Sequence, residues 1–366
     1  DESVNLAAWV VWGGFGLALV LGFVAARTNF CTMGAISDVV NMEHWGRVRM
    51  WLLAIAVAMI GTNLLYYVDL IDLSKSIYQR PSLPWLSMLV GGALFGVGMT
   101  LAGGCANKNL LRLGGGSLRS LVVLVFVAIS AYMTLKGLFG QWRSSFLDPV
   151  AIDLSGLGMQ GQSLSHLLAA LTGLPAKTAL LAATAIVALA LLIFVFKDKR
   201  FRATGEQVIG GVILGLIITA GWYLTGHIGF AENPETLELT FFGTNSRTLE
   251  SMSFVAPVAY TLELLMLWTD KSLRLTFGVA TVLGVTLGSL IYALGARKFR
   301  WEGFASVEDL GNQIVGGLLM GFGGVTAMGC TIGQGMTGIS TLAIGSFIAL
   351  SGIVAGSVAT MKWQQR

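Results

Sequence analysis

Charge is what this chain most lacks: Asp, Glu, Lys and Arg make up 11% of its 366 residues, less than half the roughly 25% of a water-exposed domain. That scarcity excludes a disordered chain, a nucleic-acid-binding tail and the solvated surface of a soluble enzyme. Cysteine pairs are missing as well. Three cysteines, an odd number without a CxxC, exclude a disulfide framework and leave the side chains as free thiols. The three histidines, His44, His166 and His227, share no ligand spacing, so neither a metal nor another cofactor is expected.

What fills the chain instead is apolar. Hydrophobic residues reach 55% and the mean hydropathy is +0.75, which requires lipid as the main solvent. A bilayer core of about 30 Å needs about 20 apolar helical residues. Charge-poor windows of that size run over 6–26, 50–68, 83–104, 120–135, 178–196, 207–226 and 275–296, and the uncharged stretch 310–361 holds a crossing, a dipping element and a second crossing. The predicted fold is an all-α polytopic membrane protein of about nine transmembrane helices plus re-entrant half-helices. Residues 251–268, with Pro257 and Glu263, are left over as a short or re-entrant piece. An N-terminus outside places 15 Lys and Arg on the cytoplasmic side and 8 on the other, whereas a full crossing at 251–268 levels the split to 12 and 11. The positive-inside bias selects the first topology, with a cytoplasmic C-terminus. The long segments 140–176 and 229–250 then lie outside, and 163–174 reads as an interfacial helix.

The 48 glycines lack the period of collagen and mark tight helix packing or broken helices. They also carry an internal repeat. Val90-Gly91-Gly92, Gly96, Gly98, Ala102 and Gly104-Cys105 recur 225 residues later as Val315-Gly316-Gly317, Gly321, Gly323, Ala327 and Gly329-Cys330. A weaker echo links Gly13-Gly14 to Gly210-Gly211, without a second cysteine. The topology makes the two halves inverted repeats, 1–140 and 177–366 joined by the outer segment 141–176, an arrangement that sets substrate near the membrane midplane on discontinuous helices.

Three segments share one design, in which an apolar helix ends at a cysteine and a glycine-containing polar stretch follows: 27–35 around Cys31, 103–109 around Cys105 and 329–335 around Cys330. Backbone that leaves the helix at membrane depth must be buried or line a water-filled path. Converging backbone N–H groups and a half-helix N-terminus favour an anion. A protonated thiol is a soft donor that does not repel a dianion and suits a polarisable sulfur end. Candidate contact residues are Cys31, Cys105 and Cys330 with Gly104, Asn107, Lys108, Gly329, Thr331, Gly333 and Gln334. Arg112 joins Lys108 as an attractor for the dianion or as a topogenic charge, and Asp38 pairs with Arg27 or is solvated.

These segments, from Arg27-Thr28-Asn29-Phe30-Cys31-Thr32-Met33-Gly34-Ala35 through Gly104-Cys105-Ala106-Asn107-Lys108-Asn109 to Gly329-Cys330-Thr331-Ile332-Gly333-Gln334-Gly335, strongly resemble the signatures of the YeeE/YedE family of sulfur-compound transporters. The resemblance spans nearly the whole chain. It implies a bacterial inner-membrane permease that imports thiosulfate through an hourglass of two inverted halves, with Cys31, Cys105 and Cys330 as relay positions. It also implies a cytoplasmic partner of the small TusA-like sulfur-carrier type. The long outer segments exceed those of compact members, and selenium or other sulfur compounds stand as alternative substrates. Rival classes are a membrane thiol oxidoreductase, which lacks the vicinal pair it needs, a soft-metal transporter, for which the 14 methionines show no repeated spacing, and a passive pore.

Overall fold

The computed structural model describes residues 2–366, with side-chain environments from residue 5 onward. Helices dominate it. In the first half of the chain they are α1 (Glu2–Arg27), α2 (Thr32–Met42), α3 (Gly46–Tyr67), α4 (Trp85–Leu101), α5 (Ala106–Gly114), α6 (Leu118–Lys136) and α7 (Leu138–Trp142). There follow α8 (Leu164–Thr172), α9 (Ala176–Lys197), α10 (Lys199–Ala203), α11 (Gly205–Tyr223), α12 (Ala256–Met266), α13 (Phe277–Gly295), α14 (Val307–Thr326) and α15 (Ile344–Gln364). Two short antiparallel ribbons, β1 (Ser82–Leu83) with β2 (Ile152–Asp153) and β3 (Phe230–Glu232) with β4 (Leu239–Phe241), tie down the connecting segments.

Among the described residues, eight helical stretches are long and apolar enough to cross a bilayer. They contain α1, α3, α4, α6, α9, α11, α13 and α15. The ninth expected crossing, α14, forms a 20-residue helix but opens with Glu308 and Asp309 and stands outside that set. Its partners explain why it is nevertheless internal: it packs between α4 and α6. The segment left over in the sequence is α12, whose 11 residues are too few to span.

Small residues set the packing. A Cβ on Gly91 would lie 2.6 Å from the backbone nitrogen of Ala327, and one on Gly316 would lie 2.6 Å from the carbonyl of Gly98. So α4 and α14 cross with their backbones in direct contact, each using the glycines of the repeat against the other. The reciprocity extends outward. Gly92 faces Ala349 on α15 while its counterpart Gly317 faces Val123 on α6. The weaker echo packs more loosely: Gly13 and Gly14 of α1 meet the side chains of Leu224 and Phe277, Gly210 of α11 meets those of Thr28 and Met50, and only Gly211 meets backbone, at Met50 O. Close backbone approach of this kind is how helices gain van der Waals contact where lipid removes the hydrophobic drive. The periphery is apolar outward, as on α9, where Ile186, Leu189 and Ile193 are exposed.

Two faces differ in chemistry. The face where α1 ends and α3, α6, α11 and α14 begin gathers Arg27, Arg47, Arg49, Arg119 and the 197–202 cluster, and is called the basic face. The opposite, loop face carries 68–84, 137–175 and 229–255. The expected segment 163–174 does form a helix there, α8, capped by the Ser163 hydroxyl accepting from the His166 N–H.

Candidate substrate pathway

The three helix ends before the cysteines are built alike. Asn29, Gly103 and Met328, each two residues before a cysteine, adopt left-handed backbone with φ of 53°, 70° and 60°. The next N–H then turns back to the helix, from Phe30 to Ala25 O at 2.9 Å, from Gly104 to Met99 O at 2.8 Å and from Gly329 to Gly324 O at 2.7 Å. This is a Schellman end, which satisfies carbonyls that would otherwise be orphaned in lipid. The cysteine that follows is thrown into extended conformation at Cys31 and Cys105 and becomes the N-cap of the next helix.

A thiol in that position sees the positive end of a helix. Cys31 Sγ accepts from the Gly34 N–H and Cys330 Sγ from the Gly333 N–H, both at 3.3 Å. Cys105 makes no such cap. Its break is held instead by Asn109, whose Nδ2 donates to the carbonyls of Gly104 and Cys105 at 2.9 and 3.1 Å. Glycine precedes two of the cysteines for want of room. A Cβ at Gly329 would sit 2.9 Å from the Gln334 backbone nitrogen, and one at Gly104 would sit 3.0 Å from Cγ of Lys108.

All three thiols are buried, at 6%, 2% and 0% exposure for Cys31, Cys105 and Cys330. Cys105 lies within electrostatic range of both others, and its thiol faces the Thr331 hydroxyl. The breaks therefore converge from opposite faces on one region. Around Cys330, in a wide helical turn over Gly333–Gly338, the wall is polar but uncharged. Gln334 Nε2 donates to Ala327 O at 2.5 Å, and Tyr78 Oη donates to Gly333 O at 2.8 Å. Thr331 Oγ1, Gln334 Oε1, Asn107 Oδ1, Thr326 Oγ1 and Trp51 Nε1 are buried without a hydrogen-bond partner. Each such atom costs about 1–3 kcal/mol in a dry site.

Around Cys31 and Cys105 the wall is cationic. Lys108 Nζ donates to Asn29 Oδ1 at 2.7 Å, bridging two of the breaks. Arg112 stands 3.5 Å from where a Gly103 Cβ would be. Asp38 does not pair with Arg27. Arg47 takes it bidentately at 2.5 and 2.6 Å and packs its guanidinium against Gly34, because only residues 43–45 separate α2 from α3 and the two helices pack together; Arg27 pairs with Glu206 of α11 at 2.6 Å. Arg47, Trp51 and Tyr78 escaped the sequence reading, since each comes from a helix or loop with no repeated motif; Thr326 lies inside the repeat, but its counterpart 225 residues earlier is Leu101, so the coincidences did not mark it. Glu263 is accounted for without transport: it accepts from Tyr132 at 2.8 Å and from Lys136 at 3.2 Å, pinning α12 to α6. Among the described residues no cluster of His, Cys, Asp and Glu could hold a metal ion.

The sequence profile of a family described as sulphur transport matches residues 27–359, a stretch that contains all three breaks. The chain is 27% identical to the thiosulfate transporter TsuA of Escherichia coli (strain K12), over 97% of this chain and 94% of the relative. It is 26% identical to the thiosulfate transporter TsuA of Spirochaeta thermophila, over 97% of this chain and 98% of the relative. Both are named as transporters, not as enzymes.

Proposed function

The chain belongs to the sulphur-transport family and is a multi-pass membrane transporter; from that premise we propose that it carries thiosulfate inward along a path marked in turn by Cys330, Cys105 and Cys31. The observation that carries the reading is the convergence of three buried thiols at helix breaks, two of them accepting a backbone N–H and Cys105 within electrostatic range of both others. Thiosulfate is a dianion with a soft terminal sulfur. Protonated thiols donate to it softly, and the unpartnered hydroxyl of Thr331 and indole N–H of Trp51 add two neutral donors. Helix N-termini supply fixed positive potential without a counter-charge that would trap the ion. Weak, successive sites are what conduction needs, so no covalent bond forms.

The basic face is read as cytoplasmic by the positive-inside bias, in a bacterial inner membrane. Cys330 then lies toward the outside, and the Arg47, Lys108 and Arg112 cluster toward the exit, where it would also suit a small TusA-like sulfur-carrier protein. Residues 1–140 and 177–366 form the two halves in this reading, with 141–176 as the outer connection. Gly104, Asn107, Lys108, Gly329, Thr331, Gly333 and Gln334 line the path beside the cysteines.

Uptake of labelled thiosulfate into proteoliposomes tests this, with sulfate, sulfite and selenate as competitors. Saturable uptake that survives strong reductant and yields mainly to thiosulfate supports the proposal. Preference for selenate or sulfite would transfer it to a related compound, and loss of uptake under reductant would favour thiol redox chemistry.

A further inference from the structure

Below the loop face lies a cavity of about 260 Å³ whose lining includes Tyr78, Arg143, Ser246, Glu250, Ser253 and Gly329. Its floor is the turn immediately before Cys330. Its rim is made by the outer segments, with Arg143 at the start of a wide turn after α7 and Glu250 just ahead of α12. It thus lies directly above the path.

Two ionisable groups of opposite sign line this one space. Arg143 Nε stands 3.3 Å from Asp148 Oδ2, and Asp148 is further occupied by the Ser87 hydroxyl at 2.7 Å. Glu250 has no cation within ion-pair distance among the described residues. Its only side-chain partner is the Ser246 hydroxyl at 2.8 Å. The other titratable groups that face it are phenols, Tyr78 from the 68–84 segment and Tyr260 from α12, with the Lys136–Glu263 pair beyond Tyr260. The wide turn after α11 contributes Thr225, whose hydroxyl bonds the Glu250 backbone. A carboxylate here would repel an oxyanion arriving at Cys330.

We propose that this cavity is an outer capture site for a sulfur oxyanion, in which Arg143 attracts the dianion and Glu250 must carry a proton for the dianion to be held. The inference rests on the reading that the chain carries an oxyanion inward. The proton comes from the outer solution, and one proton accompanies each dianion held. The neutral acid keeps its bond to Ser246 and presents no charge to the ion. Burial pushes the Glu250 carboxyl up to about 7, so the switch works near neutral pH.

Calorimetric binding of thiosulfate to the purified full chain in two buffers of different ionisation enthalpy tests it, since thiosulfate itself does not titrate in this range. If only the protonated site binds, apparent affinity scales with the protonated fraction, so it falls about tenfold from pH 6 to pH 8. Binding at pH 7.5 takes up most of one proton per thiosulfate. In Glu250→Gln the affinity is the same at both pH values and proton uptake vanishes. In Arg143→Gln the affinity drops at both pH values while the tenfold ratio remains. Binding by the wild type that is flat with pH and releases or takes up no proton overturns the proposal, as does an unaltered slope in Glu250→Gln; unchanged affinity in Arg143→Gln overturns the part given to that residue. Flat binding with active uptake leaves the transport reading standing, whereas no binding and no uptake at any pH brings down both.

Discussion

The Cys105 and Cys330 breaks descend from one repeat and share their helix ends, yet they diverge immediately after the thiol. Behind Cys105 the chain resumes as the nine-residue helix α5, which carries Lys108 and Arg112. Behind Cys330 it passes Thr331 and winds into a wide turn of six buried residues, with Gln334 and Thr337 but no charge. Glycine explains the difference: Gly333, Gly335 and Gly338 let the backbone close on Ser253, Trp51 and Ser346, where any side chain would intrude. The lesson is a division of labour. On the proposed path, the uncharged turn would sort a soft anion by donors and shape, and the cationic helix would draw it onward to the basic face.

The sharpest way to break that division is at the cysteines themselves. A donor to a charged group is worth about 1.5–3 kcal/mol, so Cys105→Ala and Cys330→Ala each lower labelled thiosulfate uptake by about tenfold or more. A loss confined to one of the two would mean that the breaks do not serve a single path. Glycine substitutions come next. In Gly329→Ala the new methyl meets backbone, which costs about 1–3 kcal/mol and reduces uptake strongly, while in Gly104→Ala it meets only the flexible stem of Lys108 and costs less. Equal effects on melting temperature and uptake would contradict the asymmetry.

Lys108→Gln is expected to slow uptake a few-fold, with the wild-type advantage shrinking as salt rises, because the charge is partly exposed and screened. An effect independent of ionic strength would make Lys108 a structural clamp on Asn29 instead. Asn29→Gly is the smallest change: it keeps the left-handed helix end and removes the Lys108 bond, shifting stability by less than about 1 kcal/mol. On the opposite face, the raised Glu250 carboxyl binds its proton more tightly in the folded chain than in the unfolded one. Its contribution to stability is therefore present at low pH and is lost as pH rises through about 7. Thermal melts of Glu250→Gln should lack that downward slope.

Much of this was legible because glycine and cysteine mark backbone needs directly. The 225-residue repeat marked its glycines as packing residues, and the structure shows what they pack: Gly91, Gly98, Gly316 and Gly323 let the backbones of α4 and α14 touch. The echo at Gly13 and Gly210 looked weak because α11 ends without a cysteine, closing instead into a wide turn at Leu224–Ile228, and its glycines meet mainly side chains where those of α4 and α14 meet backbone. Pairings across helices were not legible. Nothing local tells Asp38 to choose Arg47 over Arg27, a choice made by where α2 and α3 meet. The crossing expected from residue 310 is α14, which the two acids that start it and its many glycines keep outside the most apolar helices although it packs between α4 and α6. The outer cavity was invisible because loops without pattern form its rim.

A structure determined with thiosulfate bound is the most direct measurement. The ion should be found with its terminal sulfur within hydrogen-bond reach of Cys105 Sγ and its oxygens toward Thr331. Density for the ion only at a surface remote from all three breaks, under conditions where uptake is saturated, would contradict a path through the thiols.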